Sequence, residues 1–442
     1  MKKTLVLTLA ASILGVSHLM ASTVDLYITG STAFRANVYN ACASLYDGGA
    51  PGTVVYGTSA TGGNSPQSPV ANNYQWTMSG SVGTAIPAFS GDTFNIHALF
   101  TGSVQGLQSV QQGIQLIFLD ASGNPLTNTA TIAFSDVASA STPYPVSSSF
   151  NEDAVAIQPF VFVKSIAASG DITSVTNITA EQLKYIVQNG KCPGFAWTHN
   201  PSDTGTIYLI NRTKDSGTRR TTFAEIGDQF GQSAQIYNFD ATNFVFYKAT
   251  NVLDGAHGGS GGGVPSIGVV GPAGNNNNNA NSTWGPGYVG GGDIKSELQV
   301  NNAANQAISY LSFSDAKGVT GVNWSQVISY NGVWPTGLGS GLAGNTSTND
   351  FSPVSEGLYP FWAVEVLVYP NADPLNADQD LTASELATVL GVLNAQTVIN
   401  GGSPTPGSIE YTIQQSEAGG ATAVRLAEMN ASRQAVGGLI TP

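Results

Sequence analysis

Residues 24–28, VDLYI, alternate in the manner of a strand and run into a small-residue turn, Gly30-Ser-Thr. Beyond it Phe34, Val38, Ala41, Cys42 and Leu45 recur at helical spacing and predict an amphipathic helix over 34–46. A strand, a turn of small residues and a helix start leave N–H groups exposed, and such a terminus favours an anion. The same three-part pattern returns twice. Residues 94–100 read as a strand leading to Gly102-Ser-Val-Gln-Gly106, and Leu107, Val110, Ile114 and Ile117 then predict a helix that passes into a strand. Residues 207–210 read as a buried strand that runs into Arg212-Thr-Lys-Asp-Ser-Gly-Thr218, after which Phe223 and Ile226 predict a helix stopped near Gly227.

Between and beyond these units the periods keep changing. Residues 48–92 are rich in Gly, Ser, Thr and Pro and read as an irregular insertion, with a hairpin around 74–78. Residues 131–134 form a short strand pattern ending in Ser135-Asp136, and 154–163 is a continuous apolar run, a buried strand or a connection between lobes. Thr179-Ala-Glu-Gln182 is a capping box ahead of Leu183, Ile186 and Val187, and Gly190 ends that helix. Residues 255–292 read as a long Gly- and Asn-rich loop, with a helix opening at 290–294. Strands are predicted at 307–313 and 362–369, and Thr382-Ala-Ser-Glu385 caps a further helix to about Leu393. Helical and strand periods that alternate in this way argue for an α/β fold.

Composition sharpens the picture. A chain of 442 residues exceeds what one compact core usually organises, so two lobes are expected. Charged residues are only 10% of it, and 41% hydrophobic content excludes a disordered acidic chain. Lys2 and Lys3, the apolar run 5–16 and small residues around Ala21 and Ser22 read as a cleavable export signal. No later stretch reaches the roughly 18 apolar residues of a membrane span. The formal net charge is −13, which argues against nucleic acid or an anionic lipid surface as partner. An anion held by so acidic a chain needs a local site built from hydrogen-bond donors and one or two cations. Cys42 and Cys192 are the only cysteines; export permits a disulfide between them, and two buried thiols are the alternative. The four histidines form no zinc-like pair.

The segment 212–218 carries the most chemistry. Arg212 offers a planar fork of donors matched to an oxyanion, Ser216 and Thr218 add hydroxyls, and Gly217 lets the backbone come close. Taken alone it reads equally as a helix start capped by Asp215 or Ser216, with Arg212 on the surface. The loops at 30–34 and 102–106 are each compatible with a plain turn and cap. Their recurrence at strand ends in one α/β chain points to a ligand, because that is where such sheets bind one.

These segments resemble the phosphate-binding proteins of ABC phosphate importers, a group of periplasmic two-lobed solute receptors. The resemblance is carried by TGSTAFRANVY at 29–39, FTGSVQGLQSV at 100–110, IAFSDV at 132–137, INRTKDSGTRRTTF at 210–223, AISYLSFSDAKG at 307–318 and YPFWAVEVLVYP at 359–370, in the family's order. It implies a type II periplasmic-binding-protein fold, each lobe a mixed sheet flanked by helices, with the ligand in the cleft. Residues 22–153 would begin lobe I, 154–356 would form lobe II, and 357–442 would return to lobe I and end in a helical segment. The implied ligand is inorganic phosphate, the implied partner a membrane ABC permease, and the implied state an exported, periplasmic or secreted, monomer without metal or cofactor. The implied contacts are Thr32, Ala33 and the Phe34 N–H, the Ser103 N–H and hydroxyl, Asp136 as proton acceptor, and Arg212, Ser216, Gly217 and Thr218 as donors. The chain departs from the family in two places. Ala33 stands where the family has Thr, with Thr32 beside it. Lys214 stands where the family has the Asp that braces the arginine, with an Asp at 215.

A buried carboxylate at Asp136 favours phosphate over sulfate. It accepts a hydrogen bond from an anion that still carries a proton, and it leaves a buried acceptor unsatisfied opposite one that does not. Asp136 as a helix cap or surface acid is the plainer reading. A secreted structural or surface-interaction protein that retains the fold is the alternative function, since fold does not fix function. A phosphate-cradling loop could also serve a phosphatase, but no metal cluster, Ser-His-Asp set or paired histidines in the sequence support that reading.

Overall fold

A computed structural model of the chain describes residues 23–57, 74–82, 91–167, 169–227, 237–240, 244–248, 287–288, 290–317, 326–337, 350–371, 409, 413–414, 423–433 and 440–441. The export signal, most of the 255–292 loop and the helix predicted at 382–393 lie outside the described residues.

The first strands are β1 (Thr23–Gly30), β2 (Thr53–Tyr56), β3 (Gln75–Ser81), β4 (Thr93–Leu99), β5 (Gln115–Leu119), β6 (Pro125–Thr129), β7 (Ile132–Ser135) and β8 (Phe150–Lys164). They are followed by β9 (Asn177–Ile178), β10 (Lys191–Pro193), β11 (Thr206–Leu209), β12 (Tyr237–Asp240), β13 (Val245–Lys248), β14 (Ala307–Ser312), β15 (Val327–Tyr330) and β16 (Trp362–Pro370). The helices among the described residues are α1 (Arg35–Ala43), α2 (Ser103–Gln112), α3 (Ala180–Asn189), α4 (Phe195–Thr198), α5 (Gly217–Glu225), α6 (Gly291–Leu298), α7 (Phe313–Lys317) and α8 (Ser352–Ser355). The architecture is α/β, as the alternating periods predict.

One large mixed sheet runs β10-β11-β14-β8-β16-β7-β1-β4-β3-β2, with β15 pairing β8 and β9 off this path. In its first half β1 lies parallel to both β4 and β7. In its second half β11 lies parallel to β14. The halves are joined by β8 and β16, which pair antiparallel along the whole length of β16. Each half has its own apolar interior. Val155 and Ala156 of β8 pack with the first-half core, and Ile157 onward packs with the second. On β16, Trp362 and Ala363 belong to the second core and Leu367 to the first. The two connecting strands therefore change cores at the same level.

Local signals explain the element ends. Thr179 and Gln182 close a reciprocal capping box at the start of α3: the Thr179 hydroxyl accepts from the Gln182 N–H at 3.2 Å, and the Gln182 side chain accepts from the Thr179 N–H at 2.9 Å. Gly190, in the left-handed region, ends that helix. Gly106 of α2 packs directly on the Gly30 backbone, where a Cβ would collide, so the helix lies flat against β1.

Three expectations change. The predicted hairpin at 74–78 is instead the single strand β3, paired with β2 on one side and β4 on the other. Residues 48–92 are therefore not simply irregular: β2 and β3 extend the sheet, using the alternation of Val54, Trp76 and Met78 that the surrounding Gly and Ser obscured. The first helix ends at Ala43, earlier than the apolar spacing suggests, and Leu45 packs from the turn beyond it.

Cys42 and Cys192 are free and buried. Cys42 lies in the first-half core and Cys192 in the second, which leaves the thiol alternative in place of the disulfide. Burial pushes both thiols up, away from the reactive thiolate. Treatment with a thiol-specific aromatic disulfide under native conditions is expected to release almost no chromophore, and two equivalents per chain in strong denaturant. Fewer than two in denaturant would show a disulfide.

Candidate functional site

The parallel strands β1, β4 and β7 end on the same edge of the sheet, and each delivers a short polar turn there. After β1 come Ser31 and Thr32, after β4 comes Gly102-Ser103, and after β7 comes Asp136. Strand direction thus brings together residues far apart in sequence. The fourth contribution comes from the second half, where the chain leaves β11 as Asn211-Arg212 and enters α5 at Gly217.

Asp136 is the centre of the cluster and is almost wholly buried. The Ser103 hydroxyl donates to one carboxylate oxygen, and the Thr218 hydroxyl donates to the other at 3.0 Å. The Asp136 N–H in turn donates to the Ser103 hydroxyl at 3.2 Å. The Thr218 bond joins the two halves directly. A second bond crosses nearby, from the Val104 N–H to the Asp215 carbonyl at 3.1 Å. Gly102 and Gly217 make this approach possible: a Cβ on Gly102 would meet the Asp215 carbonyl, and one on Gly217 would meet the Asp136 carboxylate. Burial pushes the Asp136 pKa up, and the Ser103 hydroxyl, the Arg212 charge and the Thr218 hydroxyl each draw it back.

Arg212 is 1% exposed, so the reading that left it on the surface does not hold. Its Nη2 donates to the Thr32 hydroxyl at 2.9 Å and its Nε to the Tyr288 carbonyl at 3.2 Å. Arg219 Nη1 donates to the Arg212 carbonyl at 2.9 Å. The guanidinium is therefore positioned by a hydroxyl and a backbone carbonyl. Asp215, beside the position where the resemblance expects a bracing acid, pairs instead with Lys214 at 3.1 Å.

The remaining expected contacts are also placed. Thr32, Ala33 and Phe34 are buried at the head of α1; the Phe34 N–H donates to the Ser31 hydroxyl at 3.3 Å, and the Ala33 carbonyl accepts from Ser314 at 3.0 Å. The Ser216 hydroxyl caps α5, accepting from the Arg219 N–H at 3.3 Å. Ser103, Asp136, Arg212, Gly217, Thr218 and Thr32 thus form one cluster, with Ala33 and Phe34 at its rim on the first half.

Sequence reasoning missed several members. Tyr288 contributes a backbone carbonyl, which no side-chain pattern reveals. Arg219 was visible as a cation one turn into the helix but had no motif to mark it. Arg35 and Asp315 were missed too. Arg35 Nη2 pairs with Asp315 across the halves at 2.7 Å, each side chain about 2% exposed. The Arg35 guanidinium lies over the Tyr74 ring at 4.7 Å and also donates to the Thr32 carbonyl. Asp315 accepts from the Ser312 hydroxyl at 2.9 Å. Among the described residues no group of three or more His, Cys, Asp and Glu is gathered as for a metal ion.

No protein-family model matches the chain, and no curated protein matches it. Among solved structures, the chain is similar to a protein described as a phosphate ABC transporter substrate-binding protein with bound phosphate from Clostridium perfringens. That similarity covers 91% of this chain and 100% of that one at 13% identity and a TM-score of 0.45. An ABC-type phosphate transport receptor from Vibrio cholerae is similar over 83% of this chain and 93% of its own, at 14% identity and a TM-score of 0.37. A phosphate binding protein from Stenotrophomonas maltophilia is similar over 90% and 96%, at 13% identity and a TM-score of 0.36.

The Arg35–Asp315 pair generates a prediction for stability. Removing one partner leaves an uncompensated buried charge, which costs about 3–5 kcal/mol, whereas replacing both by apolar groups of similar size costs far less. Urea unfolding is expected to show Arg35→Met and Asp315→Leu each strongly destabilised and the double variant recovering most of the loss. Additive losses would show that the pair is not coupled.

Proposed function

We propose that this chain is an exported, monomeric solute-binding protein that captures inorganic phosphate for a membrane ABC permease. In this reading residues 22–153 and 357–442 belong to one lobe and 154–356 to the other. The two connecting strands act as the hinge, and closure over the anion is the signal that the permease reads. The observation that carries the proposal is Asp136, a buried carboxylate gripped from both halves by hydroxyls, with the Arg212 charge beside it.

The chemistry follows from that pairing. Arg212 supplies the cation an oxyanion needs, and a planar fork suits it better than a point charge. The hydroxyls of Ser103 and Thr218 are rotors: each can donate to a ligand oxygen as readily as to Asp136. The N–H groups at the starts of α2 and α5 add donors with favourable dipoles. Asp136, ionised, is the one acceptor in the set. Monohydrogen phosphate brings the proton it requires, and sulfate at neutral pH does not. The acidic chain supplies no broad positive field, so selectivity comes from this short-range pattern of donors and one acceptor.

Calorimetric titration of protein freed of ligand by unfolding and refolding is expected to show phosphate bound and sulfate bound at least ~10-fold more weakly, the order expected for an unsatisfied buried group. Arg212→Ala is expected to lose phosphate affinity by about 10- to 100-fold, the scale of a charge-assisted hydrogen bond. Asp136→Asn, whose amide can donate, is expected to narrow the gap between the two anions. Absence of phosphate heat from the wild-type protein would sink the proposal.

A further inference from the structure

Glu365 is a carboxyl that this site does not obviously use. It lies on β16, is fully buried, and stands where β8 and β16 pass from one core to the other. The pairing is broken at this point. Glu365 faces Ala156 of β8, and the next residue, Val366, faces Ala154, so Val155 is the extra residue of a β-bulge. On its other side β16 pairs with β7, Val366 opposite Ser135 and Leu367 opposite Phe134. Carried one step further, the same antiparallel register would set Glu365 opposite Asp136, the first residue beyond β7, whose charge acts on it.

Directly opposed side chains on neighbouring strands sit within about 5.5 Å at Cβ, and like charges there repel. Two buried carboxyls so placed do not both ionise. The surroundings decide which keeps its proton. Asp136 receives two hydroxyl bonds and feels the Arg212 charge. Neither oxygen of Glu365 meets a hydrogen-bond partner of good geometry among the described residues, and no cation there is paired with it. From the turn after β1 it meets the Ser31 hydroxyl, from the end of β7 it meets Asp136, and from β8 its partner is the apolar Ala156. An ionised carboxylate in that setting costs several kcal/mol or more, whereas a neutral acid needs one modest acceptor. Burial and then the Asp136 charge push the Glu365 pKa well up, with Ser31 acting against them.

We propose that Glu365 is a positioning residue of the anion site: it holds a proton within the hinge, so that Asp136 carries the single carboxylate charge facing the ligand. The proposal rests on reading the cluster as a phosphate site. The neutral acid keeps the floor of the site from repelling a dianion. Its place in the bulge ties that charge state to the strands that bend on closure, and ionising it adds a second negative charge beneath the anion.

The test begins without ligand, so that it is independent of phosphate. A group whose folded pKa lies above the unfolded value of about 4.3 stabilises fully below that value and loses the contribution as pH rises toward the folded pKa. Urea unfolding of wild type and Glu365→Gln is compared from pH 5 to pH 7. The wild-type folding equilibrium is expected to fall, relative to the variant, by about 10-fold per pH unit. A difference that does not change with pH overturns the proposal. Phosphate titration at pH 7 is expected to give Glu365→Gln an affinity within about threefold of wild type, because the amide copies a neutral acid. A tenfold gain on this substitution would show that Glu365 was charged, and it too overturns the proposal. Should Glu365→Gln not fold, carbon-13 titration of side-chain-labelled glutamate in wild type answers the same question. With the Glu225 signal, whose value burial pushes up to about 7, assigned by its loss in Glu225→Gln, a further carboxyl is expected to remain protonated above pH 6; its absence refutes the proposal. Failure of wild type to bind phosphate, with the pH-dependent difference intact, would overturn the ligand reading and leave the proton on Glu365.

Discussion

The contact on which the rest depends is the carboxylate of Asp136, buried and held at once by Ser103 from its own half and Thr218 from the other. A buried carboxylate is costly unless nearly every lone pair finds a donor. That requirement reaches outward through the fold. It fixes Gly217, because any side chain there would occupy the space of the carboxylate, and it fixes Gly102, whose backbone must pass close to the Asp215 carbonyl. The parallel arrangement of β1, β4 and β7 brings Thr32, Ser103 and Asp136 to one edge of the sheet. The site is therefore a consequence of strand direction before it is a matter of side-chain identity.

Among the described residues, several buried and directional polar contacts join the two halves. Thr218 to Asp136, Val104 to Asp215, Arg212 to Thr32 and Arg35 to Asp315 all cross between them. None is a broad apolar surface. Apolar burial is non-directional and would hold the halves together in many poses, whereas hydrogen bonds weaken steeply with distance and angle. Contacts of this kind fix one relative geometry of the two halves. The connecting strands contrast with these contacts. β8 and β16 run through both halves, and among the described residues the ionisable side chain at their change of cores is Glu365.

The departures from the family pattern find a physical account here. With Lys214 in place of the bracing acid, Asp215 is drawn to the lysine beside it, and Arg212 is steadied by the Thr32 hydroxyl and the Tyr288 carbonyl. Thr32 also supplies, one residue early, a hydroxyl in the turn where Ala33 has none. Its partner is Arg212 and so lies in the other half.

Much of this protein was legible in the sequence because it depends on short-range physics. Alternation and helical spacing placed the main strands and helices, the capping box fixed the start of α3, and the small residues after β1, β4 and β11 marked the turns that carry the site. Patterns weakened by local composition were harder to read: β3 was hidden in a Gly- and Ser-rich stretch, and the helix after β1 stopped earlier than its apolar spacing implied. What the sequence could not contain was the relation between distant segments. The opposition of Glu365 to Asp136, the Arg35–Asp315 pair and the Tyr288 carbonyl under Arg212 join residues far apart in the chain through strand register or backbone atoms. Register is a pairwise property of two strands, and a backbone carbonyl is identical in every residue. Periodicity determined the elements; the pairing of strands decided which carboxyls, hydroxyls and cations share one dry, enclosed volume.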